Sequence, residues 1–154
     1  MRVILQRVRQ GRVSVDGVVT GAVGAGFVAL VGVAHGDTSA EADLLARKTA
    51  GLRVFDDADG KMNLSALDVG AGVLVISQFT LYADTRRGRR PGFTAAALPA
   101  AAAPLVARYA DRLRAEGVAR VESGVFGAAM LVEIHNDGPV TIILDSADFA
   151  GQPG

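Results

Sequence analysis

The sequence has no cysteine and no tryptophan, and only two histidines occur among its 154 residues. Without cysteine the chain can form neither a disulfide framework nor a thiolate nucleophile, and a reducing compartment such as the cytoplasm suits it. The histidines, His35 and His135, lie in separate segments without neighbouring metal-ligating residues. A metal site of the usual clustered kind is therefore not expected, and no motif indicates another cofactor.

An excess of charge of one sign is also missing, because 16 lysines and arginines balance 16 aspartates and glutamates. This balance argues against a general nucleic-acid coat and leaves room only for a local basic patch. No apolar run approaches the roughly 20 residues that span a bilayer. The N-terminal stretch Met1–Arg7 carries recurring arginines where a signal peptide would have an apolar core. We expect a soluble globular protein with no membrane contact.

Half of the residues are hydrophobic, which is enough for one domain with its own core. We place that domain at residues 1–146 and expect a loose tail at 147–154. Apolar alternation and unbroken apolar runs predict several strands. These strands are expected at residues 2–9 and 12–15 around Gly11, and at 18–20, 27–33, 73–81, 118–126 and 130–135.

Two principal helices are expected beside these strands. Thr38 or Ser39 can cap a helix that ends near Gly51. Pro99 and Pro104 disturb the start of a second helical pattern, so we predict that helix only after Pro104. The result is an α+β fold with a mostly antiparallel sheet.

A Gly-Pro dipeptide, Gly138–Pro139, separates two apolar runs near the C-terminus, at residues 130–134 and 140–144. Asp-Gly is typical of a hairpin turn, and proline fixes its own φ and removes a backbone donor. Such a rigid corner (the Gly-Pro corner, Gly138 and Pro139) directs its carbonyl oxygens, which can accept hydrogen bonds from an ammonium group. From the residues alone, a plain hairpin is the more frequent interpretation.

The strand predicted at 73–81 becomes polar towards its end, at Ser77, Gln78 and Thr80. Buried polar groups need partners, so these side chains indicate either strand-edge hydrogen bonds or a reaction centre. Ser77 and Thr80 are possible nucleophiles, but no histidine, lysine or acid in the same motif would activate them. A base could come from elsewhere in the fold. The other route is a site made of backbone amides, side-chain dipoles and a hydroxyl of the substrate.

The only dense basic cluster is the stretch Arg86–Arg90, which we call the basic loop. A flexible cationic segment with glycine suits contacts with phosphates. A merely solvated loop is the alternative.

Taken together, these motifs closely resemble the D-aminoacyl-tRNA deacylase family, whose members remove D-amino acids from tRNA. The resemblance spans about residues 1–146, and two positions depart from it: Gly92 replaces an expected serine, and Ser123 replaces a common threonine. Five segments carry it: Gln6–Val8, Gly60–Asn63, Ser77–Leu81, Phe126–Met130 and Asn136–Thr141.

The resemblance implies a barrel-like core and a homodimer with active sites at the subunit interface. It implies a cis bond between Gly138 and Pro139, and a Gly-Pro corner that enters the pocket of the other subunit. There its carbonyls would hold the α-ammonium of a D-amino acid, and an L side chain would clash with backbone. Glycine has no side chain to exclude, so glycyl-tRNA mischarged on tRNA(Ala) would be a second substrate.

The resemblance also implies the roles of individual residues. Four catalytic positions would surround the ester, with backbone amides near the last two as oxyanion donors: Ser77, Gln78, Phe79 and Thr80. Six residues would bind the substrate or shape its pocket: Arg7 as the anchor of the corner, Phe126, Met130, Asn136, Gly138 and Pro139. Four arginines would approach tRNA phosphates: Arg86, Arg87, Arg89 and Arg90. The 2′-hydroxyl of the terminal adenosine would help to activate water, and a Thr80 nucleophile is the older alternative.

Three other interpretations stay open. A sister branch of the family edits a mischarged L-amino acid. The chain could instead be a non-catalytic RNA-binding module that uses the basic loop, although stacking aromatics are few. A small-molecule-binding dimer would show no requirement for tRNA.

Overall fold

The computed structural model describes residues 1–150, and residues 151–154 lie outside it. The strands and α-helices follow in the order β1 (Arg2–Val15), β2 (Val18–Val23), β3 (Gly26–Gly32), α1 (Ser39–Gly51), β4 (Phe55–Asp56), β5 (Met62–Leu64), β6 (Gly72–Ser77), α2 (Pro99–Ala115), β7 (Arg120–Ser123) and β8 (Leu131–Asp145). A 3₁₀ helix at Phe79–Tyr82, here the Phe79 turn, follows β6, and a second 3₁₀ helix at Ser146–Phe149 follows β8.

Six strands form one sheet around the long strand β1. One edge of β1 pairs with β3 and β2, and the other edge pairs with β8, in each case antiparallel. Strands β6 and β7 extend the sheet beyond β3 through parallel pairs. At the far ends, a Cβ added to Gly21 of β2 would lie 3.0 Å from the carbonyl oxygen of Ser123 in β7. The sheet thus curves nearly into a barrel, and the predicted α+β class is confirmed.

Strand β1 is continuous, so the predicted break at Gly11 is wrong. Gly11 pairs with Val23 on one side and with Ile134 on the other. A Cβ at this position would lie 2.5 Å from Cγ2 of Val28. The glycine is there because another strand's side chain packs closely over it, and it does not turn the chain.

Strand β8 is also continuous, so the predicted hairpin at the Gly-Pro corner is wrong. Both halves of β8 pair with β1: Thr141 lies opposite Gln6, and Asn136 lies opposite Val8. Residues 137–140 therefore face only Arg7, and they form a bulge within the strand. The two apolar runs do not need each other as partners, because β1 is long enough to pair with both.

The predicted strand at 73–81 ends earlier, at Ser77. The amide of Gln78 donates to the carbonyl oxygen of Val31 (2.7 Å), and the chain then forms the Phe79 turn. Strand β7 is likewise shorter than predicted, and residues 124–130 connect it to β8. Each stretch keeps one backbone hydrogen bond to the sheet where it leaves it, since the amide of Gly124 donates to the carbonyl oxygen of Val75 (2.9 Å) as that of Gln78 does to Val31.

Helix α1 is confirmed, with Thr38 as its N-cap in a capping box with Glu41. Helix α2 begins at Pro99, so the prediction that it starts only after Pro104 is wrong. Proline is favourable at the first helical position, where its missing N–H is not needed. Pro104 leaves the carbonyl of Ala100 without its usual donor, but both residues are exposed and water can replace the lost bond.

Two apolar cores lie on opposite faces of the sheet. The helices cover one face, where Leu45 of α1 and Tyr109 of α2 are fully buried against Phe27 of β3. On the other face, Val28 and Leu74 belong to a smaller core, because neighbouring residues of a strand point to opposite faces.

The C-terminal 3₁₀ helix includes three residues of the predicted tail. Its Phe149 packs against the helix-side core, and the ammonium of Lys48 lies 4.8 Å from the centre of the ring. The rest of the predicted tail after residue 150 lies outside the described residues. Within residues 1–150, no helix is both long and apolar enough to cross a membrane.

Candidate active site

A cavity of about 550 Å³ opens between the ends of β3 and β6, the start of α2 and the connection from β7 to β8. Its walls are largely apolar, with a polar end at Ser77 and Gln78. Pockets of this kind, with a few convergent polar groups, are the usual form of a small-molecule site. Five of the predicted site residues line it: Ser77, Gln78, Phe79, Phe126 and Met130.

The Phe79 turn begins at the wall of this cavity and carries two backbone donors at its start. The amides of Phe79 and Thr80 come first in the 3₁₀ helix, so no earlier carbonyl of the helix can accept from them. The side chain of Gln78 does not cap them. Two adjacent free N–H groups can stabilise an oxyanion without any charged residue.

Thr80 itself is exposed and does not line the cavity. Its hydroxyl accepts a hydrogen bond from the side-chain amide of Gln78. Within residues 1–150, no histidine, lysine or carboxylate hydrogen-bonds to this hydroxyl. The nucleophile–base pair that activates a threonine is therefore not assembled in one chain.

The Gly-Pro corner projects from β8 into solvent, and its peptide bond is cis. Arg7 lies behind it and is only 7% exposed. The Arg7 Nε–H donates to the carbonyl oxygen of Asp137 (3.1 Å), and Nη1 donates to that of Val54 (2.6 Å). Arg7 also lies 3.5 Å from the Asp56 carboxylate. The guanidinium thus joins the backbone of the corner to the segment that enters β4.

The corner and the cavity are separate in one chain. Four predicted substrate-binding residues, Arg7, Asn136, Gly138 and Pro139, are absent from the cavity wall. Asn136 is exposed in β8 and pairs with Val8. A single subunit therefore does not bring the two predicted groups of residues together.

The basic loop is closed by two backbone hydrogen bonds between Asp84 and Gly92, of 2.7 and 2.8 Å. Arg86 folds back on Asp84 through two side-chain hydrogen bonds of 2.8 Å, which hold the pKa of that carboxyl well below its usual range. The other three arginines are exposed, and no ion pair engages them within the described part of the chain: Arg87, Arg89 and Arg90. Three of the four predicted phosphate-binding charges are thus available.

Acidic and histidine side chains do not form a metal site in the described chain, where no three of them come close enough to hold an ion. Ion pairs tie up several carboxylates on the surface instead. The hydrogen bond from Arg12 lowers the pKa of Glu133, for example.

Sequence reasoning missed the other wall of the cavity. Phe93 and Leu98 line it, together with Ala102 of α2. Phe93 comes three residues after the basic loop, and its ring lies edge-on to that of Phe79, with ring centres 5.0 Å apart. The sequence signal for Phe93 was an aromatic residue next to a cationic loop. Because the start of α2 was predicted too late, the sequence did not place this residue at the wall of the cavity.

Comparisons with known proteins agree on one family. The family model described as D-Tyr-tRNA(Tyr) deacylase matches residues 4–145. A protein of Chloroflexus aurantiacus named D-aminoacyl-tRNA deacylase is 58% identical over 97% of this chain and 92% of its own length. A protein of Thermus aquaticus with the same name is 56% identical over 98% of this chain and 99% of its own length.

Two solved structures share the fold. One is titled c-Myc DNA Unwinding Element Binding Protein, with a TM-score of 0.87 and 36% identity over 94% of this chain and 98% of that one. The other is titled as a probable eukaryotic D-amino acid tRNA deacylase, with a TM-score of 0.79. It is 20% identical over 93% of this chain and 97% of its own, so it supports the fold alone.

Proposed function

Because the chain belongs to the D-Tyr-tRNA(Tyr) deacylase family, we propose that it hydrolyses the ester bond of D-aminoacyl-tRNA and thereby proofreads chirality in translation. The products are the free D-amino acid and the tRNA. The observation that carries the proposal is a cavity whose wall includes Phe79, the first residue of a turn with two backbone amides that have no partner in that turn, and no side-chain base assembled at Thr80 within residues 1–150. Such a site can stabilise the oxyanion of ester hydrolysis, while the substrate supplies part of the chemistry.

In the proposed reaction, water attacks the ester carbonyl and the oxyanion forms beside the amides of Phe79 and Thr80. The 2′-hydroxyl of the terminal adenosine helps to activate the water. The bond between the carbonyl carbon and the 3′-oxygen then breaks, and that oxygen takes up a proton. Gln78 already holds the Thr80 hydroxyl, which favours a positioning role for Thr80 over that of a nucleophile.

We assign the choice of chirality to the Gly-Pro corner of a partner subunit. The corner is exposed, lies outside its own cavity and is held from behind by Arg7. Its carbonyls would accept hydrogen bonds from the α-ammonium group, so that an L side chain points into backbone. Exclusion of this kind rejects a competitor by a clash. Glycine passes the filter, so glycyl-tRNA mischarged on tRNA(Ala) is a second proposed substrate.

The assembly we propose is a homodimer with active sites at its interface. Ile143 in β8 is 63% exposed, and it lies opposite Ile4 of β1, which in turn pairs with Leu30 of β3. In this row Ile143 is exposed and Ile4 and Leu30 are half-buried, so part of its apolar surface is open to solvent. A contiguous apolar surface of this kind favours a protein partner, and the corner needs a second cavity to enter.

Arg87, Arg89 and Arg90 are proposed to contact phosphates of the acceptor end. Their side chains are exposed, and each can release counterions when it meets a phosphate. Arg86 contributes less, because Asp84 already neutralises it. The substrate also leads us to place the reaction in the cytoplasm.

The test compares release of amino acid from D-tyrosyl-tRNA, L-tyrosyl-tRNA and glycyl-tRNA at equal enzyme concentration. We expect hydrolysis of the D and glycyl esters and none of the L ester. Gly138→Ala serves as a variant of the filter, because Gly138 has a φ of +124° and an added Cβ would lie 2.9 Å from Cγ2 of Val140. Strain of this kind costs about 1–3 kcal/mol, so we expect D-ester turnover to fall roughly tenfold.

Two outcomes would replace the proposal. Hydrolysis of the L ester alone would indicate the sister branch that edits L-aminoacyl-tRNA. Binding of tRNA without hydrolysis of any ester would indicate a nucleic-acid-binding module. That second candidate has one observation in its favour, because the solved structure with 36% identity carries the name of a DNA-binding protein.

A further inference from the structure

The Phe79 turn carries the two amide donors, yet none of its four residues is buried. Its C-terminal end is held from outside by Arg2. The Nη1 group of Arg2 donates to the carbonyl oxygen of Leu81 (3.0 Å), and its guanidinium lies 5.1 Å from the centre of the Tyr82 ring. The N-terminal end, where the donors are, lacks such a charged anchor among residues 1–150.

Phe93 contacts this N-terminal end. The rings of Phe79 and Phe93 meet at an interplanar angle of 71° with centres 5.0 Å apart, which is a favourable edge-to-face arrangement. Both rings line the cavity, and Phe79 is otherwise 57% exposed. The aromatic pair is therefore a side-chain contact that can restrict Phe79.

The backbone of Phe93 is itself fixed. The preceding residue, Gly92, exchanges two hydrogen bonds with Asp84, and the carbonyl oxygen of Phe93 accepts from the amide of Ala96 (3.1 Å). Asp84 lies two residues after the end of the Phe79 turn. The turn, the basic loop and Phe93 thus form one closed unit, in which the ring of Phe93 returns to the residue where the turn begins.

We propose that Phe93 is a positioning residue for ester hydrolysis: its ring fixes Phe79 and, through it, the direction of the amides of Phe79 and Thr80. The inference rests on the proposed function, because it names a further residue of the same site. The proposal gives two neighbouring parts of residues 86–93 different roles. The exposed arginines set the affinity for tRNA, and Phe93 sets the rate at which the bound ester is hydrolysed.

The test compares kcat and KM of Phe93→Leu and Phe93→Tyr with D-tyrosyl-tRNA. Removal of a whole oxyanion donor costs about 10²–10³ in kcat, and a misdirected donor keeps part of its effect. We expect Phe93→Leu to lower kcat about tenfold, with KM unchanged within about twofold. Phe93→Tyr retains the ring and should restore most of kcat. Phe149→Leu is the matched control, because this ring packs against the helix-side core and does not line the cavity.

A readout without turnover separates this inference from the proposed function. In amide NMR spectra of the enzyme alone, the resonances of Phe79 and Thr80 should shift in Phe93→Leu and return in Phe93→Tyr. A rise in KM with unchanged kcat would overturn the inference, because the ring would then bind RNA. Equal losses in both variants, or unchanged amide resonances in Phe93→Leu, would also overturn it. An inactive wild type overturns the proposed function, and the role of Phe93 in hydrolysis with it.

Discussion

Arg7 is the residue on which two backbone segments depend. Its planar guanidinium reaches the carbonyl oxygens of Asp137 and Val54 at once. A buried arginine needs such partners, because an unpaired charge in this environment is costly. Asp56 and Asp137 provide the compensating negative charge at 3.5 and 3.8 Å.

Arg7→Lys should therefore damage the corner without removing the positive charge. An ammonium group on a flexible stem cannot reproduce the two-pronged contact, and a lost hydrogen bond to a charged group is worth about 1.5–3 kcal/mol. We expect kcat/KM for the D ester to fall at least tenfold, as measured by steady-state kinetics. Arg9→Lys is the control, since Arg9 is exposed and, within residues 1–150, its guanidinium pairs with the side-chain carboxylate of Asp137 and with no backbone carbonyl. Equal effects of both substitutions would contradict the anchor role.

Thr80→Ala distinguishes the two mechanisms. If the 2′-hydroxyl of the substrate assists water, the variant should retain turnover within about threefold, because an unassisted threonine is a poor nucleophile. D-aminoacyl-tRNA that ends in 2′-deoxyadenosine should then be a poor substrate for both proteins. Loss of turnover in a folded Thr80→Ala enzyme, with normal cleavage of the deoxy substrate by the wild type, would establish the nucleophile instead.

At the scale of single residues, the sequence was informative where functional groups are contiguous. The stretch from Ser77 to Thr80 could be read as a polar strand end, and all of it except Thr80 lines the cavity. Phe93 could not be found in this way, because its significance depends on a contact with a residue 14 positions earlier. The role of Arg7 came only from family resemblance, because nothing in the local sequence of β1 connects it with the corner. For the corner, the residues indicated carbonyl acceptors, and the choice of chirality came from the resemblance.

At the scale of elements, the Phe79 turn rests on Gly32 of β3. A Cβ added there would lie 3.1 Å from the carbonyl oxygen of Gln78, 3.1 Å from Cβ of Leu81 and 3.2 Å from a ring carbon of Tyr82. The turn can come this close to the strand only because the side chain is absent. The position of the amide donors is therefore set by a residue that has no functional group.

Gly32→Ala should displace the turn by a few tenths of an ångström. We expect kcat for the D ester to fall about tenfold, because catalytic hydrogen bonds depend steeply on geometry, while the Tm changes little. Gly24→Ala is the matched control, because an added Cβ there has no neighbour within 4 Å among the described residues. A kcat equal to that of the wild type, with the turn displaced in a crystal structure of the variant, would show that the amides are not donors.

The elements that could be predicted are those whose local signals agree. Helix α1 has a capping box and a clear end, and it appears where expected. The corner has the local sequence of a hairpin turn, but long-range pairing with β1 overrides it. The sequence predicts a helix α2 that is too short, because the general rules for proline in helices describe an average helix. Pro104 lies on the solvent-exposed side of α2.

At the scale of the whole molecule, acidic groups with surface partners set the response to low pH. The hydrogen bond from Arg108 lowers the pKa of Asp43, that from Arg12 lowers the pKa of Glu133, and that from Ser65 lowers the pKa of Asp68. A carboxyl whose pKa is lower in the folded state than in the unfolded state stabilises the fold when the pH is above the unfolded-state pKa of about 4. That contribution to the free energy of unfolding is lost as the pH falls through the pKa of the folded state.

We therefore expect the free energy of unfolding to be nearly constant from pH 7 to 5 and to decrease below about pH 4. Each exposed pair contributes little alone, so the decrease reflects their sum. Urea unfolding between pH 7 and 3 measures it. Glu133→Gln should reduce the decrease slightly, and a decrease that is steepest between pH 7 and 5 would point to groups other than these carboxylates.

The architecture could be anticipated as an α+β domain, but the site could not be completed from one chain. Gly138 and Pro139 of the corner are exposed and do not line the cavity of their own chain. In the proposed homodimer a second molecule unites them, and an interface of that kind leaves no periodic pattern in the sequence. The partly exposed aliphatic row at Ile143 becomes visible only once the strands are paired.

The placement of the corner inside a strand limits how its length can change. Loops accept insertions and deletions because their ends move freely, whereas residues 137–140 have paired strand on both sides. One added or removed residue would have to be absorbed within the bulge. Otherwise half of β8 slips by one position and every side chain in it changes face. Homologous chains should therefore keep the same number of residues between the partners of Gln6 and Val8, even where the residues themselves differ.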